Sequence, residues 1–111
     1  MASRRKEHQE DAKFRVFQII NENPQMTTRE IAQKVRISNG SAYYLLTSLI
    51  DMGFIKLTNF KESSQKIKYS YFLTPKGIRE KSLVSRKFLV RKKQEYELLK
   101  KEIAELERDV S

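Results

Sequence analysis

Apolar positions along the chain change their period twice, and those changes divide it. From Glu10 to Asn21, Phe14, Phe17 and Ile20 recur at helical spacing with Val16 and Ile19 beside them, which predicts a first helix that covers its neighbours. Pro24 stops it, because proline cannot continue the hydrogen-bonded turn. The stretch Thr27 to Lys56, TTREIAQKVRISNGSAYYLLTSLIDMGFIK, then holds two short helical patterns. In the first, Ile31, Ala32 and Val35 form one apolar stripe, and Thr27 with Glu30 makes a capping box. In the second, Ala42, Leu45, Leu46, Leu49 and Ile50 face a core, Ser38 is the expected N-cap, and Gly53 stands where a left-handed C-terminal residue is needed. Only Arg36-Ile37-Ser38 separates the two, so the pair reads as a helix-turn-helix.

After Gly53 the period falls from 3.6 to 2. Phe54 to Phe60 and Ile67 to Leu73 read as strands joined by the polar six-residue tip KESSQK, which gives a hairpin. From Thr74, with Pro75 at the first helical position, a long helix begins, and neither Gly nor Pro interrupts it after Gly77. From Leu89 its apolar residues take coiled-coil spacing: Leu89, Tyr96, Leu99, Ile103, Leu106 and Val110, with acidic and basic residues on the flanks. So narrow a stripe needs a partner helix, and a second copy of the chain is the expected one. The expected fold is mainly α with a small β-hairpin, a winged helix-turn-helix with a long C-terminal dimerisation helix. Its parts are a disordered tail over residues 1–9, a helix-turn-helix domain over 10–74 and a dimerisation helix over 75–111.

The second helical pattern also has a coherent outer face. Gly40, Tyr43, Tyr44 and Thr47 share one stripe with Ser41 beside them, small, polar or amphipathic, which suits a helix lying in the major groove of DNA. The hairpin that follows is basic, and Lys61, Lys66 and Lys68 would approach backbone phosphates or the adjacent minor groove.

Charge sharpens this picture. The formal net charge is +9 over 111 residues. Residues 54–77 carry +4 and residues 78–95 carry +5, whereas residues 96–111 carry −2. A concentrated basic surface favours a polyanion through counterion release, and the acidic tail meets something other than DNA. With no cysteine, disulfides and thiolate metal sites are excluded, and His8 is a lone surface residue. No apolar run is long enough to cross a bilayer and the start MASRRKEHQED lacks a signal-peptide core, so a cytoplasmic protein is expected. FLVRKK, from Phe88 to Lys93, could touch an anionic membrane surface, but the acidic stretch after it opposes that.

Helix, helix-turn-helix, wing and long terminal helix together resemble the MarR-type winged-helix transcriptional regulators. The resembling residues are TTREIAQKVRIS…LLTSLIDMGFIK, the wing, and the junction YFLTPKGIREK. The recognition-helix pattern ISxGxxxYxLxxLI and the LTPKGI junction are most similar to the small EPS-associated branch. The likeness covers roughly residues 12–108. It implies a cytoplasmic bacterial regulator that binds double-stranded DNA as a homodimer near exopolysaccharide genes. By position, the base-reading residues would be Asn39, Ser41, Tyr43, Tyr44 and Thr47, with Ser38 at the head of the helix. The phosphate contacts would be Thr28, Arg29, Arg36 and the wing lysines.

Two departures from that family matter. Only about ten residues precede the first helix, so the small-molecule effector pocket framed by longer terminal helices is not expected. Between Asn39 and Ile50 there is no Arg or Lys, so bidentate guanine contacts are unavailable, and modest specificity with much affinity from phosphates and DNA shape is expected. No paired carboxylates, activated nucleophile, phosphate loop, metal-ligand spacing or cofactor motif is present, so an enzyme is not expected. The rival readings are a winged-helix module for protein–protein contact and a nonspecific architectural DNA binder.

Overall fold

A computed structural model describes the backbone of residues 2–63 and 66–111, and the side chains of residues 8–59 and 69–111. The elements run α1 (Ala2–Glu22), α2 (Thr28–Val35), α3 (Asn39–Asp51), β1 (Ile55–Ser63), β2 (Lys66–Leu73) and α4 (Pro75–Val110). The expected winged helix-turn-helix with a long terminal helix is thus present. Two boundaries differ from expectation. Helix α1 begins at Ala2 rather than near Glu10, so the expected disordered tail is helical. Residues 2–9 are good helix formers without an apolar period, and a reading by period does not register them. The hairpin tip is also shorter than KESSQK, because pairing runs out to Ser63↔Lys66 with a register shift between Lys61 and Ser63. Ladder hydrogen bonds belong to the backbone, so polar residues extend strands that show no apolar alternation.

Local signals set the helix ends. At α2 the Thr27 hydroxyl accepts the Glu30 N–H at 3.1 Å, while the Glu30 carboxylate reaches back to the Thr27 N–H at 3.4 Å. At α3 the Ser38 hydroxyl accepts the Ser41 N–H at 3.0 Å. The far end of α3 closes in a Schellman motif: Gly53 has φ +80°, its N–H donates to the Ile50 carbonyl, and the Phe54 N–H donates to the Leu49 carbonyl, both at 2.9 Å.

One core gathers Val16, Phe17 and Ile20 of α1, Ile31 and Val35 of α2, Leu46 and Leu49 of α3, and Ile55 and Tyr71 of the hairpin. The strands pair antiparallel from Ile55↔Leu73 onward. The Tyr71 N–H donates to the Pro24 carbonyl at 2.9 Å, tying the α1–α2 connection to the hairpin. Helix α4 is capped by Thr74, whose hydroxyl accepts the Gly77 N–H at 3.0 Å and lies 3.1 Å from the Phe54 carbonyl.

Helix α1 runs antiparallel to the first half of α4. Phe14 stacks on Phe88 with ring centroids 4.4 Å apart, Lys13 meets Glu80 at 3.4 Å, and Arg91 pairs with Glu10 and Asp11. Burial disfavours the Arg91 charge, but the hydrogen bonds and charges of Asp11 and Glu10 outweigh it and hold the guanidinium above its ordinary value. From Lys93 onward every residue of α4 is exposed. The extents are 69 × 26 × 25 Å and the radius of gyration is 18.1 Å, against about 13 Å for a compact chain of this length.

Candidate nucleic-acid interface

Helix α3 divides cleanly between two faces. Ala42, Leu46 and Leu49 are buried against α1 and α2, and Leu45 and Ile50 are packed at the margin of the core. The other side carries Asn39, Gly40, Ser41, Tyr43, Tyr44 and Thr47, all exposed. Tyr43 is 67% and Tyr44 75% exposed, far more than amphipathic rings keep when they have a place in a core. Sequence periodicity alone separates these two faces.

The hydroxyls on that face are less free than the sequence suggests. The Thr47 hydroxyl donates to the Tyr43 carbonyl of its own helix at 2.8 Å, which leaves its acceptor lone pairs and its methyl group outward. Ser38 accepts the Ser41 N–H and donates to the Ser41 hydroxyl at 2.9 Å, so Ser38 is spent in the cap while the Ser41 hydroxyl keeps its own proton to donate. The groups left for outward hydrogen bonding are chiefly the Asn39 amide, the Ser41 O–H and the Tyr43 and Tyr44 hydroxyls.

Around this helix the helix-turn-helix brings further candidates together. Arg36 ends α2 in the left-handed region with φ 64° and ψ 48°, and its N–H closes on the Ala32 carbonyl. That conformation lets the chain turn into α3 within a few residues and leaves the guanidinium exposed. Arg29 is exposed at the start of α2. Thr28 is only half exposed, and its hydroxyl shares a hydrogen bond with the Tyr71 hydroxyl at 3.2 Å. The side chains of Lys61, Lys66 and Lys68 lie outside the described residues. Arg29 and Arg36 make no ion pair among the described residues, and Glu30 is committed to the Thr27 cap.

Tyr69, within the second strand, adds a residue to this surface. It is 53% exposed and lines, with Leu57, Gln25 and Thr28, a hollow of about 600 Å³ between the hairpin and the start of α2. Strand parity could have found it, since Asn59↔Tyr69 continues the face of Leu57↔Tyr71 past the end of the core. Among the described residues no group of three metal-ligating side chains occurs, and no helix is long and apolar enough to cross a membrane.

Residues 9–56 match the family described as winged helix-turn-helix DNA-binding. No curated protein matches the chain by sequence. Among solved structures it is similar to a PadR-like transcriptional regulator of Bacillus cereus, with TM-score 0.67 and 20% identity over 78% of this chain and 89% of that one. It is also similar to Staphylococcus aureus MarR in complex with salicylate and kanamycin, with TM-score 0.52 and 25% identity over 79% of this chain and 56% of that one. A third is a point mutant of S. aureus MepR bound to an oligodeoxyribonucleotide, with TM-score 0.60 and 14% identity over 97% of this chain and 89% of that one. The chain therefore carries a winged helix-turn-helix domain. Its fold is that of the MarR- and PadR-type regulators.

Proposed function

We propose that this protein is a DNA-binding transcriptional regulator that works as a homodimer. It reads the major groove with α3 and holds phosphates and the minor groove with the wing around residues 61–66. The observation that carries this reading is the bare outer face of α3, where Tyr43 and Tyr44 stand exposed opposite a buried stripe on a rigid capped helix. Arg29 and Arg36 flank it, and the charge of +4 over residues 54–77 adds the electrostatic footprint of a polyanion binder. An apolar partner surface docked here would desolvate those guanidiniums without pairing them; a phosphate backbone satisfies them.

Tyr43 and Tyr44 offer aromatic contact to thymine methyls, and Asn39 offers the amide that pairs with adenine. With no cation on α3, discrimination is modest and rests partly on DNA shape. Dimerisation is supported by the seam of α4, where exposure runs from 46% at Ile103 to 84% at Val110. Two copies would set two recognition helices on half-sites about one helical turn apart, or a multiple of it. Exopolysaccharide genes as the regulated set follow from the likeness of the recognition-helix and junction motifs.

A salt titration comparing a palindromic promoter fragment with random duplex tests the reading. Steep salt dependence together with preference for the promoter is expected. A steep slope without preference makes the protein an architectural binder, and no duplex binding at low salt leaves the protein–protein module.

A further inference from the structure

Helix α4 carries more of the seam than its apolar tail. Followed back from Val110 at the same alternating steps of four and three, the line passes Lys92, Leu89, Ser85 and Ser82 and ends at Ile78. Helix α1 covers a neighbouring face of α4, through Phe88, Arg91 and Glu80, and leaves this line accessible, with Ser85 and Lys92 half-buried at its margin. Ile78 is 58% and Leu89 53% exposed, and Ser82 is exposed as well. One heptad line therefore runs the whole length of the helix, with two serines and a lysine beside Ile78 and Leu89 in the first half and only large apolar residues in the second. Residues 78–95 carry +5 and residues 96–111 carry −2.

Resting on the homodimer reading above, we infer that the second copy lies antiparallel along this line, its acidic tail against the basic half of α4. The seam then matches itself about a two-fold axis near Gln94. Val110 meets Ile78 of the second copy, Leu106 meets Ser82, Ile103 meets Ser85, Leu99 meets Leu89, and Tyr96 meets Lys92. Large side chains face small ones over the serine layers, and the one cation in the line faces an aromatic ring. At the flanks Glu107 falls beside Arg79 and Asp109 beside Lys81. The like-charged neighbours, Lys93 and Glu95 each with its own copy and Lys100 with Arg86, stay solvent-facing.

The alternative is a parallel pair, and one feature favours it: Ile103 and Val110 at a with Leu99 and Leu106 at d is the pattern of parallel two-stranded coils. Parallel pairing, however, sets Lys92 against Lys92 inside the seam, stacks serine on serine for two layers, and runs two segments of +5 side by side. Lys92 already lies 5.1 Å from the Phe88 ring and 3.0 Å from Glu95, an arrangement the antiparallel pair keeps and a facing ammonium would disturb. The antiparallel sense removes all three conflicts at once.

The chain has no cysteine, so introduced thiols report the sense directly. Leu89→Cys and Leu99→Cys proteins, mixed, exchanged and mildly oxidised, should give a disulfide-linked heterodimer, while Leu99→Cys alone stays unlinked. Linkage of Leu99→Cys with itself, or none in the mixture while sedimentation shows a dimer, overturns the antiparallel register. A second measurement avoids core positions: Glu107→Arg should weaken dimerisation roughly tenfold, and adding Arg79→Glu should recover most of that loss. Failure of the second change to rescue the first also overturns the register. A monomer at every concentration instead removes the homodimer reading itself, and DNA binding is scored separately in both cases.

Discussion

Gly77 is the most closely approached of the three glycines, and Gly77→Ala tests the packing of the wing junction. An added Cβ would stand 1.9 Å from the Phe54 carbonyl oxygen, 2.8 Å from its carbon and 3.3 Å from Cα. The contact becomes ordinary only if the carbonyl retreats by about 1–1.5 Å. That carbonyl is not free to retreat. It accepts the Thr74 N–H at 3.0 Å and lies 3.1 Å from the Thr74 hydroxyl, and Phe54 also closes the Schellman motif of α3. Overpacking of this kind costs about 1–3 kcal/mol, and the loosened Thr74 N–H bond adds about 0.5–1.5 kcal/mol. Replacing glycine inside a helix returns about 0.5–1 kcal/mol. The net expectation is destabilisation by about 1–3 kcal/mol, a fall in melting temperature of about 5–15 °C.

Thermal unfolding followed by circular dichroism checks this, at equal protein concentration because the proposed dimer would melt by mass action. Gly40→Ala is the control with the same chemical change. Its added Cβ has nothing within 4 Å, so it should stabilise the fold by about 0.5–1 kcal/mol. A Gly77→Ala protein that melts at or above the wild-type temperature would refute the reasoning, because the helix propensity term would then have won over the steric one.

Other outcomes follow from single contacts. Arg36→Gly should raise stability by about 1 kcal/mol by relieving a non-glycine left-handed residue, and should weaken DNA binding with a shallower salt slope in gel-shift titrations. Tyr44→Ala with Thr47→Ala should reduce discrimination between promoter and random duplex more than total affinity, whereas Lys66→Ala with Lys68→Ala should do the reverse. Removing residues 94–111 should convert a dimer into a monomer in sedimentation equilibrium; a monomer both before and after removal would end the dimer reading.

The parts of the fold legible in sequence are those written in local chemistry. Thr27 with Glu30, Ser38, Gly53 and the Thr74-Pro75 pair each fix an element end through groups only a few residues apart, and the structure shows all four in those roles. The two faces of α3 are legible for a similar reason, since a 3.6-residue period separates Ala42, Leu46 and Leu49 from Tyr43, Tyr44 and Thr47 within one helix. What stays hidden has either no period or no local partner. The first turns of α1 lack apolar spacing, the tip strands are held by backbone bonds, and Arg91 meets Glu10 and Asp11 across most of the chain.

The least legible feature is the one that shapes recognition. A sequence presents Ser38, Ser41 and Thr47 as hydroxyls available to bases, but hydroxyls near a helix start or four residues from a carbonyl are claimed by the backbone first. Here the Ser38 hydroxyl is held by the cap and the Thr47 proton by the Tyr43 carbonyl, whereas the Ser41 hydroxyl only accepts from Ser38 and keeps its proton. A base contact must either share those groups or break a bond that contributes about 0.5–1.5 kcal/mol, comparable with the roughly 1–3 kcal/mol of discrimination that a good base contact supplies. In the proposed DNA complex, direct readout from α3 would therefore narrow to Asn39, Ser41 and the two tyrosines, with the remaining affinity from phosphates and groove shape. A binding site for this protein should accordingly tolerate base changes under Thr47 better than changes under Asn39, Ser41, Tyr43 and Tyr44, which a saturation selection of bound duplexes would resolve position by position.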